Sequence, residues 1–204
     1  WWGTVDPAVI SAKIYDYSDY SGYGVANFVP FLDGPNGNPV NGNFVYGPIT
    51  TNTTWTLANS PYVVVGNTTV NSGVTLTIEP GVMVKFDGYY SFTINGILNA
   101  EGTSESRITF TSNKASPAKG DWGGFKFNAG SGASVLKYVN LTYANLGIYG
   151  YTTVPNIDNA NITNNYSGMY LIDAGTTSTV ISNSNFTNNT QYGIVLQTSS
   201  SPNI

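Results

Sequence analysis

Three segments near the end of this chain share one period. They read "YVNLTYANLGIYG" (138–150), "NANITNNYSGMYLID" (159–173) and "NSNFTNNTQYGIVLQ" (183–197). Asn140, Asn161 and Asn185 occupy one phase, spaced by 21 and 24 residues; Gly147, Gly168 and Gly193 occupy another, spaced by 21 and 25. Each Asn opens an Asn-apolar-Thr triplet, with Leu141, Ile162 and Phe186 in the middle. Strand alternation sends that apolar residue to one side and its polar neighbours to the other. A second short run follows each Gly: "IYG", "MYLID" and "IVLQ". Units this short cannot bury their own apolar side, but stacked turns of chain can, because like residues fall above like residues. The spacing therefore predicts a parallel β-helix. Leu141, Ile162 and Phe186 form one expected inward ladder, and Ile148, Met169 and Ile194 another. A β-sandwich would need antiparallel hairpin signals and variable strand spacing, which this register disfavours.

The region upstream alternates in the same way with less regular spacing. "VTLTI", "VMVKF" and "SFTIN" are separated by breaks at Pro80-Gly81, Asp87-Gly88 and Asn95-Gly96, and "RITFTS" and "GGFKFN" continue them. About six or seven turns at ~4.8 Å each would make a rod on the order of 30 Å long. Composition agrees: 25 Asn and 43 Ser plus Thr, with only 9% charged residues, leave little material for long helices. A net charge of −4 with the single Arg107 argues against nucleic acid or an anionic membrane as partner. With no Cys and no His, disulfides, thiolate chemistry and the commonest general base are excluded. No apolar run reaches the ~18 residues of a membrane span.

The first 48 residues read differently from the β-helix expected over 49–204. Asp6 is a good N-cap, Pro7 suits the first helical position, and Ile10, Ile14 and Tyr17 share a face, so a helix over about 7–16 is expected. "VANFVPFL" is extended, and "DGPNGNPVNGN" (33–43) reads as a linker or long loop.

The stretches "NSGVTLTIEPGVMVKF", "INGILNAEGT", "ITFTSNK", "GDWGGFKF" and the Asn-rich turns resemble the right-handed parallel β-helix modules of large secreted or surface-attached bacterial and archaeal proteins. The resemblance covers most of 55–204. It implies an all-β, right-handed parallel β-helix with a short N-terminal helix and extended segment, in an extracellular or cell-surface setting. Such modules serve adhesion, scaffolding, sugar binding and polysaccharide cleavage, so the resemblance does not fix a function. In that family a segment resembling "WWGTVDPAVISAKIYD" follows the last Asn-rich turn. Here it comes first, and the chain closes on "SSPNI", which repeats the Pro155–Ile157 opening of an earlier unit.

Polysaccharide lyases and hydrolases of this fold need converging carboxylates, or clustered acids near a basic residue. Eleven acids are present, and Glu79, Asp87, Glu101 and Glu105 sit in turns. Asp158 and Asp173 lie in turns beyond which no Arg or Lys follows Lys137. Asp121, beside Trp122 and Lys126, is the best candidate pair, and turn chemistry explains it equally well. No catalytic residues and no cofactor are assigned. Weak calcium candidates are Asp16, Asp19 and Asp33, whose oxygens suit a hard cation. Asn-x-Ser/Thr occurs seven times. Asn140, Asn161 and Asn185 would stack too closely to carry glycans on every turn, so the bend positions Asn52, Asn67, Asn165 and Asn188 are the glycosylation candidates. Exposed Tyr residues, among them Tyr20, Tyr23, Tyr89, Tyr149, Tyr151 and Tyr192, can stack on sugar rings.

An open β-helix end is a template for another strand. The leading expectation is a non-catalytic subunit of an extracellular filament or surface stalk, a head-to-tail homopolymer. Its joint is expected at Trp1, Trp2, Gly3, Ile10 and Ile14 of one unit against Pro202, Asn203 and Ile204 of another. The competing expectations are a sugar-binding or sugar-cleaving module, with surface polysaccharide as partner, and a fragment of a monomeric adhesin.

Overall fold

The computed structural model describes residues 1–16, 22–24, 26, 28–40, 42–173, 180–198, 200 and 202. It opens with a short helix, α1 (Pro7–Ser11), and a hairpin of β1 (Phe31–Leu32) with β2 (Pro39–Val40). The remaining strands wind in coils. The first coil holds β3 (Asn43–Ile49) and β4 (Thr53–Trp55), and the second holds β5 (Tyr62–Val70) and β6 (Thr75–Ile78). Then come β7 (Met83–Phe86), β8 (Ser91–Ile94) and β9 (Ile97–Glu101), followed by β10 (Ile108–Ser112), β11 (Gly124–Phe127) and β12 (Val135–Lys137). The fifth coil is β13 (Val139–Leu141), β14 (Leu146–Tyr151) and β15 (Asn156–Asp158). The sixth is β16 (Asn161–Ile162), β17 (Ser167–Ile172) and β18 (Ile181–Ser182), with β19 (Ile194–Gln197) beyond it.

All pairings between coils are parallel, and they build three faces. The first runs β7-β10-β13-β16, the second β8-β11-β14-β17-β19, and the third β4-β6-β9-β12-β15-β18. β5 is long enough to turn a corner. Its first part pairs with β7 and its last part with β8, so it joins the first two faces, and β3 pairs along both parts. This is an all-β parallel β-helix of about six turns.

Alternation decides what enters the core. In "VTLTI" Val74, Leu76 and Ile78 are buried and the threonines between them face outward. The expected ladders form: Leu141 pairs with Ile162, and Ile148 with Met169 and then Ile194, with Phe186 packed against the same core. A third ladder runs Ile78–Ala100–Leu136–Ile157–Ile181 on the remaining face.

The fourth coil is oversized, because 113–121 and 128–134 are loops inserted between its faces. Trp122 fills the widened corner. Its ring stacks on Phe86 at 3.8 Å and its indole N–H donates to the Thr142 carbonyl at 2.8 Å.

The N-terminal segment departs from expectation in three ways. Asp6 caps α1 by accepting the Val9 N–H at 3.3 Å, but the helix stops at Ser11 and does not continue to 16. Ile14, Tyr15 and Asp16 favour helix weakly, and the Asp16 carboxylate instead accepts the Ala26 N–H at 2.8 Å. The stretch expected to be a linker contains the β1–β2 hairpin, closed where Asp33 and Asn38 exchange two hydrogen bonds. The first solenoid strand starts at Asn43, ahead of the boundary expected at 49. Ile10, Phe28 and Phe31 pack on Val65 with Phe44 and Tyr46, a second apolar cluster on the outside of β3 and β5.

Candidate functional site

The carboxylates occupy separate positions, and the best placed are held by named donors. Asp121 is buried where the 113–121 loop re-enters the coil. It accepts the Lys114 ammonium and the Ser112 hydroxyl, each at 2.7 Å, and the Ala118 N–H at 2.8 Å. Burial alone would raise its pKa. The Ala118 N–H, Lys114 and Ser112 outweigh that and hold the carboxyl below its ordinary range. The pairing of Asp121 with Lys126 is corrected: Lys126 lies on the outer face, 6.0 Å from the centre of the Tyr149 ring.

Asp158 accepts from Asn183, Ser182 and Asn159, and these bonds lower its pKa. Glu79 accepts the Leu57 N–H at 2.8 Å across one coil, and Asp87 accepts the Asn113 amide at 2.6 Å. The one arginine is a staple: Arg107 donates to the Asn159 carbonyl at 2.6 Å and lies over the Tyr138 ring. Its solitary occurrence is visible in the sequence, but its axial reach is not. Among the described residues no three acids converge in a manner suited to a metal. Asp16 and Asp33 serve backbone N–H groups as described, and Asp19 lies outside the described residues.

The glycosylation candidates divide. Asn52, Asn67 and Asn188 are exposed, and the first two cap the next coil by accepting the Thr75 and Ser91 N–H groups, each at 2.9 Å. Asn165 is not at an exposed bend. It is fully buried at the corner between the first two faces, accepting the Ala144 N–H at 2.8 Å and donating to the Leu141 carbonyl at 3.2 Å. Asn189 repeats this one coil later, accepting the Asn165 N–H and donating to Ile162. An amide is needed there because the backbone turns a tight corner and leaves groups that no strand partner reaches. The folded chain therefore offers no free amide at Asn165 for modification.

Tyr149 also differs from a sugar platform. One face of its ring is met by Lys126 and the ring stacks on Tyr170 at 6.5 Å, so it belongs to an outer ladder. Tyr23, Tyr89, Tyr151 and Tyr192 are exposed, and Tyr20 lies outside the described residues.

One opening lies at the end of the stack. A cavity of about 680 Å³ lies against Val180–Thr187 and Ile194. Phe186 and Ile194 are half-buried there, and Leu196 of the same last strand is 43% exposed. At the other end of the described chain Trp1 is 46% and Trp2 39% exposed, Gly3 is exposed with φ +79°, and the Lys13 ammonium holds the Trp2 carbonyl at 2.6 Å. Ile10 is fully buried and Ile14 half-buried in the second apolar cluster of their own chain. Pro202 is half-buried; Asn203 and Ile204 lie outside the described residues.

A family model described as a pectate-lyase-like beta helix domain matches residues 47–134, under half of the chain. The protein bark beetle of Drosophila melanogaster is 32% identical over 122 residues, which cover 53% of this chain and 4% of the fly protein. The chain thus spans a small fraction of that relative's length. No solved structure matches. The matched stretch runs from the end of β3 into the oversized fourth coil and stops just before β12, and there the chain is similar to pectate-lyase-like β-helix domains in sequence as it is a parallel β-helix in structure.

Proposed function

We propose that this chain is a non-catalytic structural module of an extracellular filament or surface stalk, in which β-helices stack end to end. The observation that carries the reading is the apolar mouth at the β18–β19 end. There Phe186 and Ile194 are only half-buried, and Leu196 on the last strand is exposed. The occupant that fits is the first coil of a second copy. That coil carries Val45 and Ile49, only partly buried, on β3, whose outer edge pairs with no strand among the described residues, and Trp1 and Trp2 stand exposed on the segment before it. Joining the two ends continues the parallel ladders and repeats without closure, which makes a fibre. With Ile10 fully buried in its own chain, the joint centres on the two tryptophans and the coil edges. The non-catalytic reading is supported by the engagement of Asp121, Asp158 and Glu79 in bonds that hold loops and coils together.

The test is electron microscopy and sedimentation of the purified chain across a wide concentration range, with Ile194→Asp as the control. Rods with an axial repeat of one module, lost in I194D, are expected. Monomers at every concentration, or release of unsaturated or reducing ends from polysaccharides that D121N abolishes, would overturn the reading.

A further inference from the structure

The outer surface of the first face carries an arrangement that the stacking of coils does not require. Below Thr109 on β10, Asn140, Asn161 and Asn185 stand in register from coil to coil. Two residues on, Thr142, Thr163 and Thr187 repeat the pattern on the same outward side, and Asn164 and Asn188 occupy the turn that follows. Together these nine residues line a trough of about 520 Å³ that contains no charged and no apolar side chain. Its flank toward the second face is walled by the 113–121 loop, where the Lys119 ammonium reaches the Asn188 carbonyl at 2.6 Å. Asp121 and its donors fix the base of that loop.

Hydrogen bonding inside the trough is half complete. Asn161 donates its amide to Asn140 Oδ1 at 3.0 Å, Thr142 donates to the Thr111 hydroxyl at 3.0 Å, and Asn188 donates to Asn164. These bonds orient the side chains. Among the described residues, the Asn140 amide N–H₂, the Asn161 amide oxygen, both ends of the Asn185 amide and the Thr187 hydroxyl have no protein partner. Donors and acceptors therefore alternate along the trough at the coil spacing of ~4.8 Å.

We infer that this face binds a neutral, hydroxyl-rich polysaccharide chain lying along the solenoid axis, with one sugar residue per coil. Oriented amides and hydroxyls recognise groups that both donate and accept, and a sugar residue is close in length to the coil spacing. The lining disfavours the alternatives on chemical grounds. An acidic polymer or nucleic acid needs several free cations, and the Lys119 ammonium at the rim is already engaged by the Asn188 carbonyl; a lipid needs apolar surface, and an added strand needs a free backbone edge, whereas this face offers side chains only. The trough's volume lies in the range of ordinary binding clefts. The inference does not require end-to-end assembly, and the two sites share Asn185 and Thr187 of the last coil.

Affinity electrophoresis of the purified chain through gels carrying hydroxyethyl-cellulose, mannan or polygalacturonate tests it. Retardation is expected in at least one neutral gel and not in polygalacturonate. The double substitution Thr163→Val and Thr187→Val keeps β-branched side chains on the strands and removes two hydroxyls. At about 1 kcal/mol for each lost hydrogen bond, affinity should fall at least tenfold with secondary structure unchanged. If the double variant does not fold, Thr187→Val alone removes one hydroxyl at the last coil and should lower affinity about fivefold. No retardation in the neutral gels, retardation by polygalacturonate alone, or retardation unaltered by the substitutions would overturn it.

Discussion

Replacing Asp121 by Asn or Ala measures how much of the oversized fourth coil rests on one carboxylate. Its side chain is 6% exposed, and its two oxygens receive three donors: Lys114 on Oδ1, and Ser112 and the Ala118 N–H on Oδ2. Asn can retain the Oδ2 pair by placing its amide oxygen there. Its N–H₂ group then faces the Lys114 ammonium, which is 54% exposed and can turn to solvent, so that half of the loss is screened and small. Exchanging a charged for a neutral acceptor weakens the other two bonds, and the sum is about 2 kcal/mol. Asp121→Ala leaves the Ser112 hydroxyl and the Ala118 N–H without their acceptor and should cost about 4 kcal/mol at the upper end of those ranges. The loop can open without unfolding the stack, so two assays are needed. Urea denaturation reads the global part, and hydrogen exchange at the Ala118 amide reads the local part. The sign with pH follows from the lowered pKa of Asp121. Its contribution is fully present above the usual aspartate range, about 3.9. It is lost as pH falls through the lower folded value, because the unfolded chain takes up the proton first. The stability gap between wild type and D121N should therefore be constant near neutrality and close below about pH 4. If both variants stay within about 0.5 kcal/mol of wild type with Ala118 equally protected, the clasp contributes nothing and the argument for an ordered trough wall fails with it.

Two other substitutions probe the coil itself. Gly124 sits at φ +104°, and a β-carbon added there would lie 1.6 Å from the Leu146 carbonyl oxygen, so Gly124→Ala must force adjacent coils apart. Its thermal midpoint should fall by far more than that of Gly73→Ala, where nothing lies within 4 Å. Asn165→Ala should destabilise by about 2–3 kcal/mol, because it deprives the Ala144 N–H and the Leu141 carbonyl of their partner in a buried corner. Peptide mapping after expression in a glycosylating host should find glycan, where present, at Asn52, Asn67 or Asn188. Occupancy at Asn165 in folded protein would contradict the burial argument.

The regular part of the fold was legible because a solenoid writes its register into the sequence. Stacked coils demand that like sit over like, so the period of the Asn-apolar-Thr triplets already names the ladders Leu141–Ile162 and Ile148–Met169–Ile194. The oversized coil was harder to place. A loop inserted between faces leaves the strands in register while breaking the period, and only the spatial pairing of Phe110 with Leu141 shows that 31 residues make one turn there.

The residues misread from sequence share one cause. Alternation and turn propensity assign a side chain to a side of its own strand, but they do not say what stands opposite. Ile10 and Ile14 are expected at the joint, but Ile10 is buried against Phe28, Phe31 and Val65 from distant sequence and Ile14 is half-buried beside them. Asn165 reads as a bend and is a buried cap, because the bend turns inward against the neighbouring coil. Asp121 reads as a partner of Lys126, five residues on, whereas the loop carries Lys114 back to it. Local periodicity by itself determined the architecture, the inward ladders and the outward Asn and Thr columns. Which polar groups are spent holding the chain and which remain free to meet a ligand was decided only by tertiary packing, since a hydrogen bond's partner depends on separation in space and these bonds reach across a coil or a loop.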